Sequence, residues 1–228
     1  MTIDATPAPG PFHMTSVVAR PIEANEEEAW DSLMEDVHPL GNAHFPGHCV
    51  KYVAEMRGHA VALLCFSGCA YHLADRDRHI GWSLEQVMKR RHLVVQNSRF
   101  LIISKKKRRN LASRVLSVCA RRIQKDWQRL FGYRPLMLES FVDPVHFSGT
   151  CYKAAGWELV GATRGFRRDG REFYSPDSHP KQVWMKALQP EAREWLRAEQ
   201  MPEPWSSSES DLPGTRVADR LGAAGLRS

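Results

Sequence analysis

The sequence predicts an α/β fold: a mixed sheet of about six to seven strands with helices on its faces. Two observations carry this. Short apolar runs, bounded by Gly, Pro and Asp, alternate with helical patterns along most of the chain. One helical pattern, Asn110 to Phe131, is long and amphipathic, with a short strand-like run on each side of it.

Taken in order, Glu23 to Val37 is a short helix, with Glu26, Glu27 and Glu28 suited to its first turn and Pro39-Leu40-Gly41 ending it. Val50–Met56 and Ala60–Phe66 are strands joined at Arg57-Gly58-His59, a plausible hairpin. Tyr71 to Trp82 is irregular; as a strand it would put Asp75 and Asp77 on one face and Arg76 and Arg78 on the other. Ser83, with Glu85-Gln86 behind it, starts a helix running to about Leu93. Asn97 to Ser104 is a buried strand. The helix from Asn110 places Leu111, Val115, Cys119, Ile123, Trp127 and Leu130 on one face. Arg114, Arg121, Lys125 and Arg129 fall on the other. Gly132 stops it, and Leu136–Val142 is the next strand. Phe147–Ala155 is a short helix ended by Gly156. Trp157–Thr163 and Val183–Leu188 are strands separated by a polar loop, Arg164 to Pro180, and Glu191–Glu199 is a last helical stretch.

The 228 residues suit one domain with tails. Residues 1–20 are expected to be a disordered leader, 21–190 the folded domain, and 191–228 a short helix and disordered tail. Met1 to Pro11 has no basic or apolar signal region, and no run approaches the ~18 apolar residues that a membrane span requires. A cytoplasmic location and no membrane partner are expected. Five cysteines, Cys49, Cys65, Cys69, Cys119 and Cys151, form no C-x-x-C pair and fit reduced thiols better than a disulfide framework or zinc site.

Charge is the strongest global signal. The net is +6, but from Lys89 to Arg134 there are fifteen Lys/Arg and one acid, Asp126. That segment carries +14 while the rest carries −8. Its densest part, Lys105-Lys106-Lys107-Arg108-Arg109-Asn110, lies between a strand and a helix start. Such a turn suits an anion, because the first helical N–H groups have no internal partner and the dipole favours negative charge. One reading is a nucleic acid, contacted by Lys105, Lys106, Lys107, Arg108, Arg109, Arg114, Arg121 and Lys125 through its backbone, with little sequence specificity. The plainer one is a solvated basic face.

The order of elements is similar to that of the GNAT acetyltransferase superfamily from about Tyr52 to Leu188. Phe100 to Val160 carries most of it: strand, basic loop, long helix, strand, then a short helix with Tyr152 and Ala155-Gly156-Trp157-Glu158-Leu159-Val160. A closer resemblance rests on His38-Pro39-Leu40-Gly41, Leu73-Ala74-Asp75-Arg76-Asp77, Ile80-Gly81-Trp82-Ser83, Gln96-Asn97-Ser98-Arg99, Glu139-Ser140-Phe141-Val142-Asp143 and Gly149-Thr150-Cys151-Tyr152-Lys153. Together these resemble the family of protein A from the Druantia anti-phage defence system, which also occurs beside transposases. What this implies is context, with defence-system or transposase proteins as partners.

The superfamily resemblance implies acetyl-CoA or another acyl-CoA, its pyrophosphate held by Lys107, Arg108, Arg109, Asn110, Leu111, Ala112 and Ser113. Lys107 stands where that signature has Gln or Arg, and Asn110 where it has its first glycine. Glu139 would be the general base and Tyr152 the acid on the leaving thiolate. An ion pair with an arginine such as Arg99, and a half-buried helix aromatic, are the structural alternatives. Cys151, at a helix start where thiol pKa tends to fall, is a candidate nucleophile, with His146 and His179 available as bases. Asp75, Asp77, Glu139 and Asp143 raise a metal-nuclease reading, but local salt bridges explain Asp75 and Asp77 more simply, and no metal is expected.

Overall fold

The computed structural model describes residues 3–6, 16–42, 45, 47–104, 108–169, 173–176 and 179–206. In chain order the elements are β1 (Val17–Pro21), α1 (Glu27–Val37), β2 (Cys49–Met56), β3 (His59–Gly68), α2 (Ala74–Ile80), α3 (Leu84–Arg90), β4 (Val94–Ile102), α4 (Leu111–Phe131), β5 (Met137–Val142), α5 (Thr150–Ala154), β6 (Glu158–Ala162), β7 (Phe166–Asp169), β8 (Phe173–Pro176), β9 (Gln182–Ala187) and α6 (Ala192–Arg197). Seven strands form one mixed sheet in the order β1-β2-β3-β4-β5-β9-β6, and β7 pairs with β8 separately. Among the described strands only β4 and β5 are parallel neighbours; α4 makes the crossover between them.

The sheet is covered on both faces. On one side Trp30 and Met34 of α1 pack with Val53, Leu63, Cys65 and Leu101. On the other, α4 buries Val115, Leu116, Cys119, Ile123 and Trp127 in a cluster with Tyr52, Leu64 and Phe66. Each such aliphatic side chain contributes about 1.5–3 kcal/mol by leaving water, so the inner face alone holds the helix down. The Tyr52 hydroxyl donates to Asp126 at 2.8 Å, which satisfies the one acid of the basic segment inside the core. Leu130 departs from the expected stripe: it is 45% exposed, and Phe131 packs against the core instead.

Local signals explain most boundaries. Ser83 and Gln86 form a reciprocal capping box at the start of α3. Arg57 and Gly58, both at positive φ, turn β2 into β3.

Four expectations are corrected. Val17–Pro21 is a strand of the sheet, not leader: it pairs with β2, and Arg20 binds Glu26 and Glu55. Asp75 and Asp77 lie on a helix, not a strand. The polar stretch after β6 contains the β7–β8 hairpin. The helix expected after Pro190 is present, but residues 191–206 belong to the fold and not to a tail, with Ala192 and Leu196 fully buried and the Trp205 indole N–H donating to the Arg134 carbonyl; the expected disordered tail otherwise lies outside the described residues.

Candidate functional site

The ladder between β4 and β5 is short. Val94, Val95 and Gln96 pair with Met137, Leu138 and Glu139, and then the two strands run on to Ile102 and Val142 without pairing to each other, each held by its other neighbour. A bulge in β4 accounts for the parting: against β3, Arg99 pairs with Cys65 and Asn97 with Phe66, leaving Ser98 extra. Such a bulge bends the strand and increases its twist. Three buried polar side chains fill the opening. The Tyr152 hydroxyl donates to Asn97 Oδ1 at 2.9 Å, and Ser140 Oγ lies 2.9 Å from that hydroxyl and 3.2 Å from the Asn97 carbonyl oxygen. Asn97 Nδ2 donates in turn to the Cys65 and Arg99 carbonyls. Burial raises the Tyr152 pKa, so the phenol keeps its proton at neutral pH.

The α4 start lies on the same edge of the sheet, because parallel β4 and β5 end there and α4 follows β4. Lys105, Lys106 and Lys107 fall outside the described residues. Asn110 takes the left-handed conformation, φ 61° and ψ 8°, as the glycine-position argument requires. The Leu111 amide donates to Arg108, and the first intrahelical bond is made by the Arg114 amide to Asn110. The amides of Ala112 and Ser113 therefore face out of the helix end. Arg109 is exposed and Arg108 half-buried. Arg114 is not on the outer face expected for it: it is half-buried, and its Nε is buried with no hydrogen-bond partner among the described residues.

The expected base and nucleophile fare differently. Glu139 is 0% exposed; one carboxylate oxygen accepts from the Ala70 amide at 2.8 Å and the other from Arg76 Nη1 at 3.2 Å. Arg76, equally buried, also donates to the Ala70 carbonyl and to Asp77. The ion pair foreseen for Glu139 thus exists, but its partner is Arg76 from α2, while Arg99 binds the Gly41 and Leu40 carbonyls. A carboxylate enclosed in this way is a strut and not a base open to substrate. Cys151 does not gain acidity at the start of α5; burial raises its thiol. His146 is held by Asp143 at 2.9 Å. Asp75 receives Arg78 and, at 2.8 Å, the Ala162 amide, which ties α2 to β6.

The positive segment divides by role. Arg90 binds the carbonyls of Leu196 and Ala198, Arg99 those just named, Arg122 pairs with Asp126, and Lys89 with Glu85. These four are structural. Arg121, Lys125 and Arg129 are exposed, spaced by four along α4, and make no ion pair among the described residues.

One feature escaped the sequence reading. A cleft of about 980 Å³ lies between α2, the end of β5 and the turn after β6, lined by His72, Asp75, Asp77, Arg78, Phe141, Arg164, His179 and Lys181 among others. Asp75 accepts from Arg78 and the Ala162 amide, and Asp77 Oδ1 from Arg76 and Trp82, so the cleft sets these carboxylates beside Arg78, Arg164 and Lys181. Phe141 follows Ser140 on β5 and points to the opposite face, which brings cleft and opening together across one strand. No local motif announces this cleft, because its walls come from four separated segments.

A family model described as Druantia protein DruA matches residues 12–192. Among solved structures, aminoglycoside acetyltransferase AAC(6')-Ib in complex with coenzyme A aligns at TM-score 0.52 and 13% identity, over 80% of this chain and 100% of that one. AAC(6')-Ib in complex with ribostamycin and coenzyme A aligns at 0.50 and 12%, over 81% and 99%. The ribosomal-protein-S18-alanine N-acetyltransferase from Escherichia coli aligns at 0.48 and 8%, over 76% and 94%. At these identities the likeness concerns the fold, which is that of the GNAT acetyltransferases. No curated protein matches the sequence. No helix among the described residues is long and apolar enough to cross a membrane.

Proposed function

This chain belongs to the Druantia protein DruA family, and from that premise we propose an anti-phage defence protein that binds an acyl-CoA-type ligand at the carboxyl edge of β4 and β5 and transfers its acyl group. The observation that carries the reading is the parting of these strands with the Tyr152 hydroxyl inside it. The coenzyme A present in solved structures of the same fold supports it. The residues fit such a group. The left-handed turn at Asn110 and the outward amides of Ala112 and Ser113 suit a pyrophosphate. The orphaned Arg114 Nε, with Arg108 and Arg109, adds charge there. When bound, the thioester supplies an activated acyl group. Tyr152 keeps its proton in the opening, where it is donated to Asn97 Oδ1; to act as the acid it turns that proton from Asn97 to the leaving thiolate. The cleft across β5, with carboxylates and cations on its walls, suits a polar acceptor.

A thermal-shift titration tests this. Acetyl-CoA at ~100 times its Kd adds about 2.7 kcal/mol, or about 5–10 °C for a chain of this size. Asn110→Gly keeps the shift, since glycine enters the left-handed region freely, and Asn110→Val loses it. Tyr152→Phe keeps the shift but slows transfer. No shift from acetyl-CoA or CoA at millimolar concentration sinks the reading.

A second reading rests on a separate observation, the unpaired stripe Arg121, Lys125 and Arg129. It engages nucleic acid by its phosphates. Fluorescence anisotropy with a short duplex at several salt concentrations is the check: changing all three to Glu flattens the log–log salt slope by about 0.9 per lost contact. Binding that ignores salt counts against it.

A further inference from the structure

Cys49 and Cys65 take no part in the site above. They sit on adjacent antiparallel strands, with Cys49 opposite Ser67 and Lys51 opposite Cys65, so the two are diagonal neighbours. Both side chains face α1, in the cluster around Trp30 and Met34. Their sulfurs are 3.0 Å apart. That is about 1 Å longer than a disulfide bond. The two differ in access. Cys65 is buried, whereas Cys49 is half-buried and borders a second cleft of about 630 Å³, beside Lys51 and Asp31. The remaining cysteines stand apart: Cys69 donates to the Arg91 carbonyl, Cys119 is on the buried face of α4, and Cys151 is on α5.

We propose that Cys49 and Cys65 form a redox pair in which a peroxide oxidises Cys49 and Cys65 then closes a disulfide between β2 and β3. In the first step the Cys49 sulfur attacks a peroxide oxygen. The S–O bond forms and the O–O bond breaks, the peroxide takes two electrons from sulfur, and a sulfenic acid and water result. In the second, the Cys65 sulfur attacks the Cys49 sulfur. The S–S bond forms, the S–O bond breaks, and the hydroxyl leaves as water with the Cys65 proton. Two thiols and one hydrogen peroxide thus give one disulfide and two waters. The assignment of roles follows access, and it agrees with the electrostatics. The shared hydrogen bond, helped by Lys51 and opposed by burial, lowers the Cys49 thiol; the same bond together with burial raises Cys65.

The test uses the full chain, reduced and then treated with stoichiometric hydrogen peroxide, denatured, alkylated with N-ethylmaleimide and weighed. Reduced protein takes up five labels, one per cysteine. Oxidised protein is expected to take up two fewer and to weigh about 2 Da less before labelling. Fragmentation should place the link between Cys49 and Cys65, and dithiothreitol should restore full labelling. Cys49→Ser, a half-exposed site that leaves the core intact, should abolish the loss of labels. Undiminished labelling would overturn the proposal. So would a link through Cys69 or Cys151, a dimer on a non-reducing gel, or sulfinic acid at Cys49 with no link.

Discussion

Replacing Arg76 with methionine is expected to destabilise the protein by about 3–5 kcal/mol, the usual cost of leaving one member of a buried ion pair without the other. The loss should appear in urea denaturation at neutral pH. Arg76 and Glu139 are both 0% exposed, and the pair joins α2 to the middle of β5. Burial already raises the Glu139 pKa above the ordinary 4.5, against the pull of Arg76 and the Ala70 amide. Removing Arg76 raises it further. A carboxyl that is harder to ionise in the folded state binds protons there that the unfolded chain has released. Stability is then lost as pH rises from about the unfolded value through the folded one. The penalty of Arg76→Met should therefore be small near pH 4 and grow toward neutrality. An Arg76→Met/Glu139→Leu double variant should recover most of the loss, because two apolar groups of similar volume replace the pair at little cost. A penalty that does not change with pH would mean that Glu139 is not the group left exposed to the loss. The same variant series separates strut from base, since a strut moves the denaturation midpoint without adding a carboxylate limb to an activity profile.

The legible and illegible parts of this fold divide by the range of the interactions behind them. α3 and α4 were readable because their signals are local: a capping box at Ser83 and Gln86, and an apolar repeat from Leu111 to Trp127. α2 was not, because its first cap is Leu73, with no side-chain cap bond, and its burial is fixed by Glu139 63 residues away. β1 is five residues long and ends in proline; its alternation, Val17 buried, Val18 exposed, Ala19 buried, is too brief to stand out without β2 beside it. β7 and β8 lie in a stretch rich in Arg, Asp, Gly and Pro, whose polar composition reads as a loop and hides two four-residue strands. At the site, the resemblance to the acetyltransferases singled out Asn110, as the residue in a glycine position, and Tyr152. That Asn97 and Ser140 would meet the Tyr152 hydroxyl was not legible, because it depends on where the bulge at Ser98 parts two strands that are far apart in sequence.

Gly149→Ala should be about as costly as the Arg76 change, about 2–5 kcal/mol, although it adds a single methyl. Two effects combine there. Gly149 has φ +69°, a conformation that costs an L-residue about 1–2 kcal/mol. Its missing Cβ is also occupied space: an added methyl would stand 2.5 Å from Trp184 Cζ2 and 2.7 Å from Cε2. The indole cannot swing aside freely, because its ring stacks near Tyr152 and its N–H donates to Gln182. Overpacking a fixed ring adds about 1–3 kcal/mol. Gly58→Ala is the control, with φ +81° but nothing within 4 Å of the new methyl, so it should lose only the conformational part, about 1–2 kcal/mol. The difference between the two variants in chemical denaturation isolates the contact with Trp184. The consequence reaches the site, since Gly149 begins the turn that carries Tyr152 into the β4–β5 opening. If Gly149→Ala proves no worse than Gly58→Ala, the indole yields, and the position of the Tyr152 hydroxyl is then not held by the packing described for it.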